Sequence, residues 1–441
     1  DGGHQWFVFP RRIDLKMQSP ICDECALAVP LLNEERRAVD EANRGVHSAY
    51  STATFSKTCF NGVNALSGVG LLSVPYALAS GGWLSLILLI AIATATCYSG
   101  LLIVRCMDID PSIRTYPDIG YCAFGSPGRM VASIFMNTEL YMVVTGFLIL
   151  EGDNLNDLFP GIAFRIAGMR FSGVQCFVLL SAMVILPSML INSMSFLSYV
   201  SAMGVLASLI ILGSILWAGA VDGIGFHEKG TPINWRGIST SVSLYAFSYC
   251  AHPIFPTLYM SMTNKHQFAQ VLIISFLLCT ILYASSAVGG YLMFGSNIES
   301  QITLNLPTDK MSSKVAICTT IAIPLSKYAL TATPVVHAIE QVLPCDNKKR
   351  SLSLLIRAAM VISTVVVALC VPFFGYLMSL VGALLSSTGS ILLPCLCYLK
   401  ISGASHRVEL ESVMIVIILL MGTSVLIIGT CTSLMEIVRH L

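Results

Sequence analysis

The sequence predicts an all-α polytopic membrane protein with eleven transmembrane helices, arranged as two inverted repeats of five (5+5) plus one extra helix. Three observations carry this expectation. Of 441 residues, 55% are hydrophobic and only 11% are charged, where a soluble domain averages about 25% charged; the mean hydropathy is +0.77. Apolar stretches of about 20 residues, the length that crosses a hydrocarbon core of about 30 Å, recur along the chain. Two of these stretches, five segments apart, are interrupted by glycine or proline.

Residues 1–56 are polar and mixed in charge, without the apolar core of a signal peptide. They are expected to form a largely disordered cytoplasmic tail; because the chain opens on Asp1, further residues are expected upstream. A transporter domain is expected over 57–436. Its first repeat (57–219) holds spans at 57–79, 82–106, 130–151, 171–191 and 196–219. The second (239–399) holds spans at 239–261, 267–293, 312–342, 354–375 and 377–399. The extra helix is expected at 412–436, with a short tail at 437–441 across the membrane. Boundaries fall near Gly81-Gly82, Asn192 and Gly375. Cytoplasmic loops carry an excess of Lys and Arg. With the tail inside, that side holds 15: six from Arg11 to Arg44, then Arg105, Arg114, Arg129, Lys265, Lys348, Lys349, Arg350, Lys400 and Arg407. The far side holds 6: Arg165, Arg170, Lys229, Arg236, Lys310 and Arg439.

Several function classes are excluded by what the chain carries. A net charge of +1 gives no bulk basic field for nucleic acid. The 15 cysteines are scattered, many in apolar runs, so no disulfide framework is expected. Cys22 and Cys25 form one CxxC without a second pair, so no metal site is expected. No cofactor and no obligate protein partner are implied. No segment holds H-x-x-x-H, G-x-S-x-G or a phosphate-loop lysine, which argues against an enzyme.

The interrupted segments carry the functional reading. Segment 1 contains "NALSGVGLLSVPYAL" (64–78), with Gly68, Gly70 and Pro75; segment 6 contains "FSYCAHPIFP" (247–256), with Pro253 and Pro256. Helix breaks in a bilayer are tolerated where the freed backbone faces protein or a cavity. A matched pair in two halves points to a transporter's binding site. Amides at a half-helix N-terminus suit a carboxylate, and freed carbonyls suit an ammonium. Together they favour a free amino acid. The alternative is a kink that lets small residues pack closely.

Ionisable residues within spans are functional candidates by default. Lys327 lies near the middle of segment 8, roughly 22 Å from either surface along the helix. Either its ammonium fills a cation position beside the broken segment 1, in place of sodium, or it forms a fixed pair with a carboxylate or with carbonyls freed near Pro324. Glu139 in segment 3 either carries a proton or pairs with a lysine. His252, beside Pro253, either caps freed backbone or makes transport pH-dependent. Glu151 and Asp153 are expected at an interface; His337 and Glu340, near the cytoplasmic end of segment 8, are expected to be gate or interface residues. Tyr245, Phe247 and Tyr249 either line a pocket or pack.

"TCFNGVNALSGVGLLSVPYALASGGW" (58–83) resembles the first helix of the amino acid/auxin permease family, and most of all the plant vacuolar amino acid transporters and the related vesicular inhibitory amino acid transporter. "LILEGDNLNDLFP" (148–160), "GFHEKGTPINW" (225–235), "SYCAHPIFPTLYMSM" (248–262) and "SKYALTATPVVHAIE" (326–340) extend the likeness over most of 50–436. The resemblance implies a leucine-transporter-like fold and proton-linked, sodium-independent amino acid transport. It implies the vacuolar membrane (tonoplast), with the plasma membrane as alternative. It places carboxylate binding on Ser67, Gly68, Val69 and Gly70, near the Asn64 amide, and segment-6 contacts on Phe247, Ser248 and Tyr249. In one departure, Gly146 stands where the vacuolar subgroup often has an acidic residue; if that carboxylate couples protons in the relatives, the resemblance implies that this chain either lacks the coupling or moves it to Glu139. Leu31-Leu32 lacks the acidic residue that precedes a dileucine sorting signal, Leu27 standing in that place.

The reading that follows is a secondary active transporter whose partners are amino acids, protons and the lipid bilayer. An amino acid sensor with the same broken helices is the alternative. A channel would need repeated pore loops or rings of charge. The particular amino acids, and symport against antiport, are left open.

Overall fold

The computed structural model describes residues 53–162, 164–166, 169–190, 197–342, 349–403 and 409–440. The expectations for the amino-terminal tail, including Cys22, Cys25 and Leu31-Leu32, fall outside these residues, as does the boundary at Asn192. Among the described residues, eight helices are long and apolar enough to cross a membrane, or nine when one pair bent by 51° counts as a single span.

That pair is α1 (Phe55–Leu66) and α2 (Gly70–Gly81), the expected first segment broken at 67–69. The turn after Gly81 leads into α3 (Ser85–Ile109). Next comes α4 (Tyr116–Leu158), 43 residues long and kinked at Gly125, where φ is 67°. The expected 130–151 is therefore too short. A lead helix is fused to the front, started by a capping box at Thr115 and Asp118 and tied by an Arg129–Asp118 ion pair of 2.5 Å. Its polar residues hide it from a hydropathy reading. A short hairpin, β1 (Phe164–Ile166) against β2 (Met169–Phe171), follows; no strand is expected from the sequence.

The fourth and fifth segments are α5 (Gly173–Leu190) and α6 (Leu197–Ala220). The sixth is broken. Helix α7 (Ile238–Ser248) stops, a 3-10 turn forms over His252–Ile254, and α8 (Phe255–Ser261) resumes. Pro253 and Pro256 explain the restart, because a proline at the start of a helix loses no hydrogen bond. Helices α9 (Phe268–Phe294), α10 (Met311–Val342) and α11 (Lys349–Cys370) follow. The next split falls at 371–373 rather than at Gly375. The tenth segment runs α12 (Phe374–Leu380), a twelve-residue π-helix (Val381–Leu392) and α13 (Leu393–Ile401). The last comprises α14 (Glu409–Ser424), a π-turn (Val425–Gly429) and α15 (Thr430–His440).

Packing forms two groups of helices, joined where α10 lies along α6. Helix α4 runs along α5, α10 and α11, while α2 lies against α7 and α9, and α1 against α9 and α6. The loop "GFHEKGTPINW" straps the turn after α2. The Trp83 indole donates to the Lys229 carbonyl at 2.8 Å, the Trp83 and Leu84 amides donate to Thr231 and Pro232, and the Asn234 amide donates to Gly81. Tyr291 on α9 holds the same loop, its hydroxyl accepting from the Thr231 amide at 2.7 Å.

Candidate functional site

The two breaks meet. A methyl group added at Gly70 would lie 2.9 Å from the Ser248 Cβ and 3.0 Å from its Cα. The start of α2 therefore crosses the end of α7 at a distance only glycine allows. At Gly68 the same test finds nothing within 4 Å, so this glycine faces open space. The Ser67 amide still closes α1 on the Val63 carbonyl at 2.6 Å, and the Leu71 and Leu72 amides turn back on Gly68 and Val69. Among the described residues, the amides of Gly68, Val69 and Gly70 have no backbone acceptor. They sit at the positive end of the α2 dipole.

The freed carbonyls are held by side chains. Lys327 Nζ donates to the Asn64 carbonyl at 3.2 Å, so its partner is neither a carboxylate nor backbone near Pro324. The Asn64 side chain faces elsewhere, packed against Gly204 on α6. Ser67 is buried and accepts from the Ser208 hydroxyl at 3.2 Å. Phe247 is buried against Gly382 in the π-helix, and Val69 is buried in the core.

Sequence reasoning missed Tyr283. Its hydroxyl, fully buried on α9, lies 2.6 Å from the Leu66 carbonyl and 2.9 Å from the Ser248 carbonyl. It belongs to a polar stripe on one face of α9. Ser275 points to the Cys59 carbonyl (3.5 Å), Cys279 to Val63 (3.7 Å), Tyr283 to Leu66 and Ser286 to Leu71 (3.1 Å). Spacing by three or four residues in an otherwise apolar helix was the available signal. Tyr249, expected in the pocket, stacks on Phe276 and meets Tyr283 edge-on at 5.3 Å. Its hydroxyl pairs with Thr280 at 2.9 Å. Tyr245 is a packing residue bonded to Ser85.

Glu139 and His252 flank the second break. Glu139 is 3% exposed, accepts from the Ser386 hydroxyl of the π-helix at 2.6 Å, and lies beside Cys250. No ion pair joins it to a lysine among the described residues, which removes that alternative. His252 Nε2 lies 2.9 Å from the Thr96 carbonyl and 2.9 Å from the Ser99 hydroxyl, which itself donates to the Ser390 carbonyl at 2.6 Å. A carbonyl can only accept, so Nε2 carries the proton. Tyr116 reaches the same π-helix at the Gly389 carbonyl. A π-helix frees carbonyls from regular pairing and is frequent at functional sites. The sequence did not announce this one.

Two further expectations change. Glu151 is fully buried rather than interfacial, because α5, α10 and α11 pack along α4. Asp153 accepts from Gln301 at 2.8 Å. Where the resemblance called for an acidic side chain at position 146, the buried Met378 fills the space against Gly146. His337 and Glu340 pair at 3.0 Å on an exposed face. A cavity of about 310 Å³ is lined by Tyr76, Ser80, Thr231, Asn234 and Ser296 among others. It lies at the far end of α2 and includes none of the expected site residues.

The chain shares its fold with solved transporters. A structure of MhsT in complex with L-phenylalanine matches with a TM-score of 0.57 at 11% identity, over 86% of this chain and 98% of that one. A Na+-coupled sialic acid symporter matches with a TM-score of 0.53 at 14% identity, over 86% and 89%. The all-helical, leucine-transporter-like architecture is therefore the one the sequence predicted. In sequence, the chain is similar to two Arabidopsis thaliana proteins. It is 54% identical to amino acid transporter AVT1J over 93% of this chain and 96% of that protein. It is 55% identical to amino acid transporter AVT1I over 92% and 99%. A vesicular inhibitory amino acid transporter of Xenopus tropicalis is 25% identical over 78% and 69%. The family model described as transmembrane amino acid transporter protein matches residues 51–435. This multi-pass membrane protein belongs to the transmembrane amino acid transporter family.

Proposed function

We propose that the chain is a proton-coupled, sodium-independent secondary active transporter of amino acids, working by alternating access at the vacuolar membrane with its tail in the cytoplasm. The observation that carries this is the meeting of two broken segments at Gly70 and Ser248, with amides that lack a backbone acceptor on one side and freed carbonyls on the other. In this reading, α1–α2 and α7–α8 are the first and sixth of eleven spans in a 5+5 inverted repeat, with the span 409–440 outside it. The amides of Gly68, Val69 and Gly70 take the substrate carboxylate. Freed carbonyls at the ends of α1 and α7 take its ammonium. The ammonium of Lys327, on the Asn64 carbonyl, supplies the charge a sodium ion would bring. Glu139 carries the proton, since it lies on the break and meets no cation among the described residues.

Reconstitution into proteoliposomes tests this. With labelled amino acids and an imposed pH gradient, uptake is expected without sodium and with movement of protons. Vesicles carrying Glu139→Gln are expected to lose the dependence on the gradient. Failure to move any amino acid under either gradient would favour a sensor instead, and a sodium requirement would contradict the role of Lys327.

A further inference from the structure

The Tyr283 hydroxyl occupies an unusual position. Its proton faces two carbonyls, Leu66 at 2.6 Å and Ser248 at 2.9 Å, one at the end of each broken half-helix. Its oxygen faces the Gly68 amide. One hydroxyl has a single proton, so it cannot satisfy both carbonyls fully at once. It does touch, in one place, both kinds of group that a zwitterion's head would engage: acceptors for an ammonium and a donor for a carboxylate. The ring packs edge-on against Tyr249 at 5.3 Å, and Tyr249 is itself held by Thr280 at 2.9 Å. The hydroxyl therefore reaches the break from a rigid base on α9, while the space beside Gly68 stays open.

We propose that the Tyr283 hydroxyl is a built-in placeholder for the head group of a free α-amino acid, occupying the two breaks in the empty protein and giving way when the substrate binds. The proposal rests on the reading of the breaks as the substrate site. Without a placeholder, the two carbonyls would be buried and unpaired in the empty state, which is destabilising. With it, the empty transporter keeps α1 and α7 joined, and a substrate must replace one set of hydrogen bonds with a better one. A free carboxylic acid or a simple amine could replace only one half of the set. The arrangement thus selects molecules that carry both groups.

Tyr283→Phe keeps the ring and removes only the hydroxyl. Purified in detergent, this variant is expected to have a lower thermal midpoint than wild type when empty. Its half-saturating concentration for a 14C-labelled mixture of the twenty L-amino acids is expected to fall about tenfold, because nothing has to be displaced. Saturating amino acid should raise its midpoint by more than it raises that of wild type. A merely structural tyrosine gives the opposite sign, with weaker binding, and that result or an unchanged half-saturating concentration would overturn the proposal. If the wild type binds no amino acid, the substrate-site reading fails and takes this inference with it. If the wild type binds and the variant is unchanged, only the placeholder fails. Should the variant not fold, 3-fluorotyrosine at position 283 of the otherwise native protein gives a second readout. Its 19F resonance is expected to move on saturation with the same mixture, and a fixed resonance would refute displacement.

Discussion

Gly68→Val is expected to abolish amino acid binding while leaving insertion and thermal stability close to those of wild type. A Cβ at Gly68 meets no protein atom within 4 Å, and its backbone does not adopt the left-handed conformation. The protein itself therefore has no reason to reject the side chain. What valine fills is the space beside amides that have no backbone acceptor, so the loss falls on the ligand. A decrease of at least a hundredfold in affinity, or about 2.7 kcal/mol, is anticipated. Two residues further on, the outcome reverses. Gly70→Val drives a side chain into Ser248, whose Cα is 3.0 Å from a bare methyl, and overpacking of this kind costs about 1–3 kcal/mol or more. That variant should express poorly and melt early. Equilibrium binding and thermal melts of the two purified variants separate these effects. Normal affinity in Gly68→Val would return both glycines to a packing role.

Lys327→Ala is the second large effect. The lysine donates to the Asn64 carbonyl at 3.2 Å, an acceptor left over because α1 ends two residues later. Alanine leaves that carbonyl buried without a donor, a penalty of about 1–3 kcal/mol. It also removes a positive charge from beside the break. Transport is expected to fall at least about tenfold, since each 1.4 kcal/mol is a factor of ten. Initial uptake rates in proteoliposomes measure this. Full activity in Lys327→Ala would show that the lysine is only structural.

The parts of this architecture that were readable in the sequence are those written as exceptions to a rule. A glycine pair and a proline in segment 1, and two prolines in segment 6, violate the demands of a membrane helix. The first break falls at Gly68 and the second just before Pro253, while Pro75 lies inside α2 and marks no break. Lys327 was readable for the same reason, as a cation too deep to reach water. Features made from ordinary residues were not readable. The π-helix over Val381–Leu392 is built from "VGALLSSTGSIL", an unremarkable apolar run, and it meets Glu139, Tyr116 and Phe247, which lie far away in the chain. Glu151 looked interfacial because it is near the end of α4, yet a count along one helix cannot see three others packed over it. Tyr283 was hidden among other polar residues of segment 7, where only the partner helix shows that the stripe faces broken backbone. Met378, beside Gly146, is a further case. The space left by an absent acidic side chain is filled from a segment more than two hundred residues away, which no local pattern reveals.

The central claim is that the amino acid sits between the two breaks. A cryo-electron microscopy structure of the protein saturated with a transported amino acid tests it most directly. The account predicts density beside Gly68, with the carboxylate at about 2.7–3.2 Å from the amides of Gly68, Val69 or Gly70 and the ammonium against the carbonyls of Leu66 and Ser248. Density elsewhere, as in the cavity lined by Tyr76, Thr231 and Asn234, with the breaks empty, would contradict it.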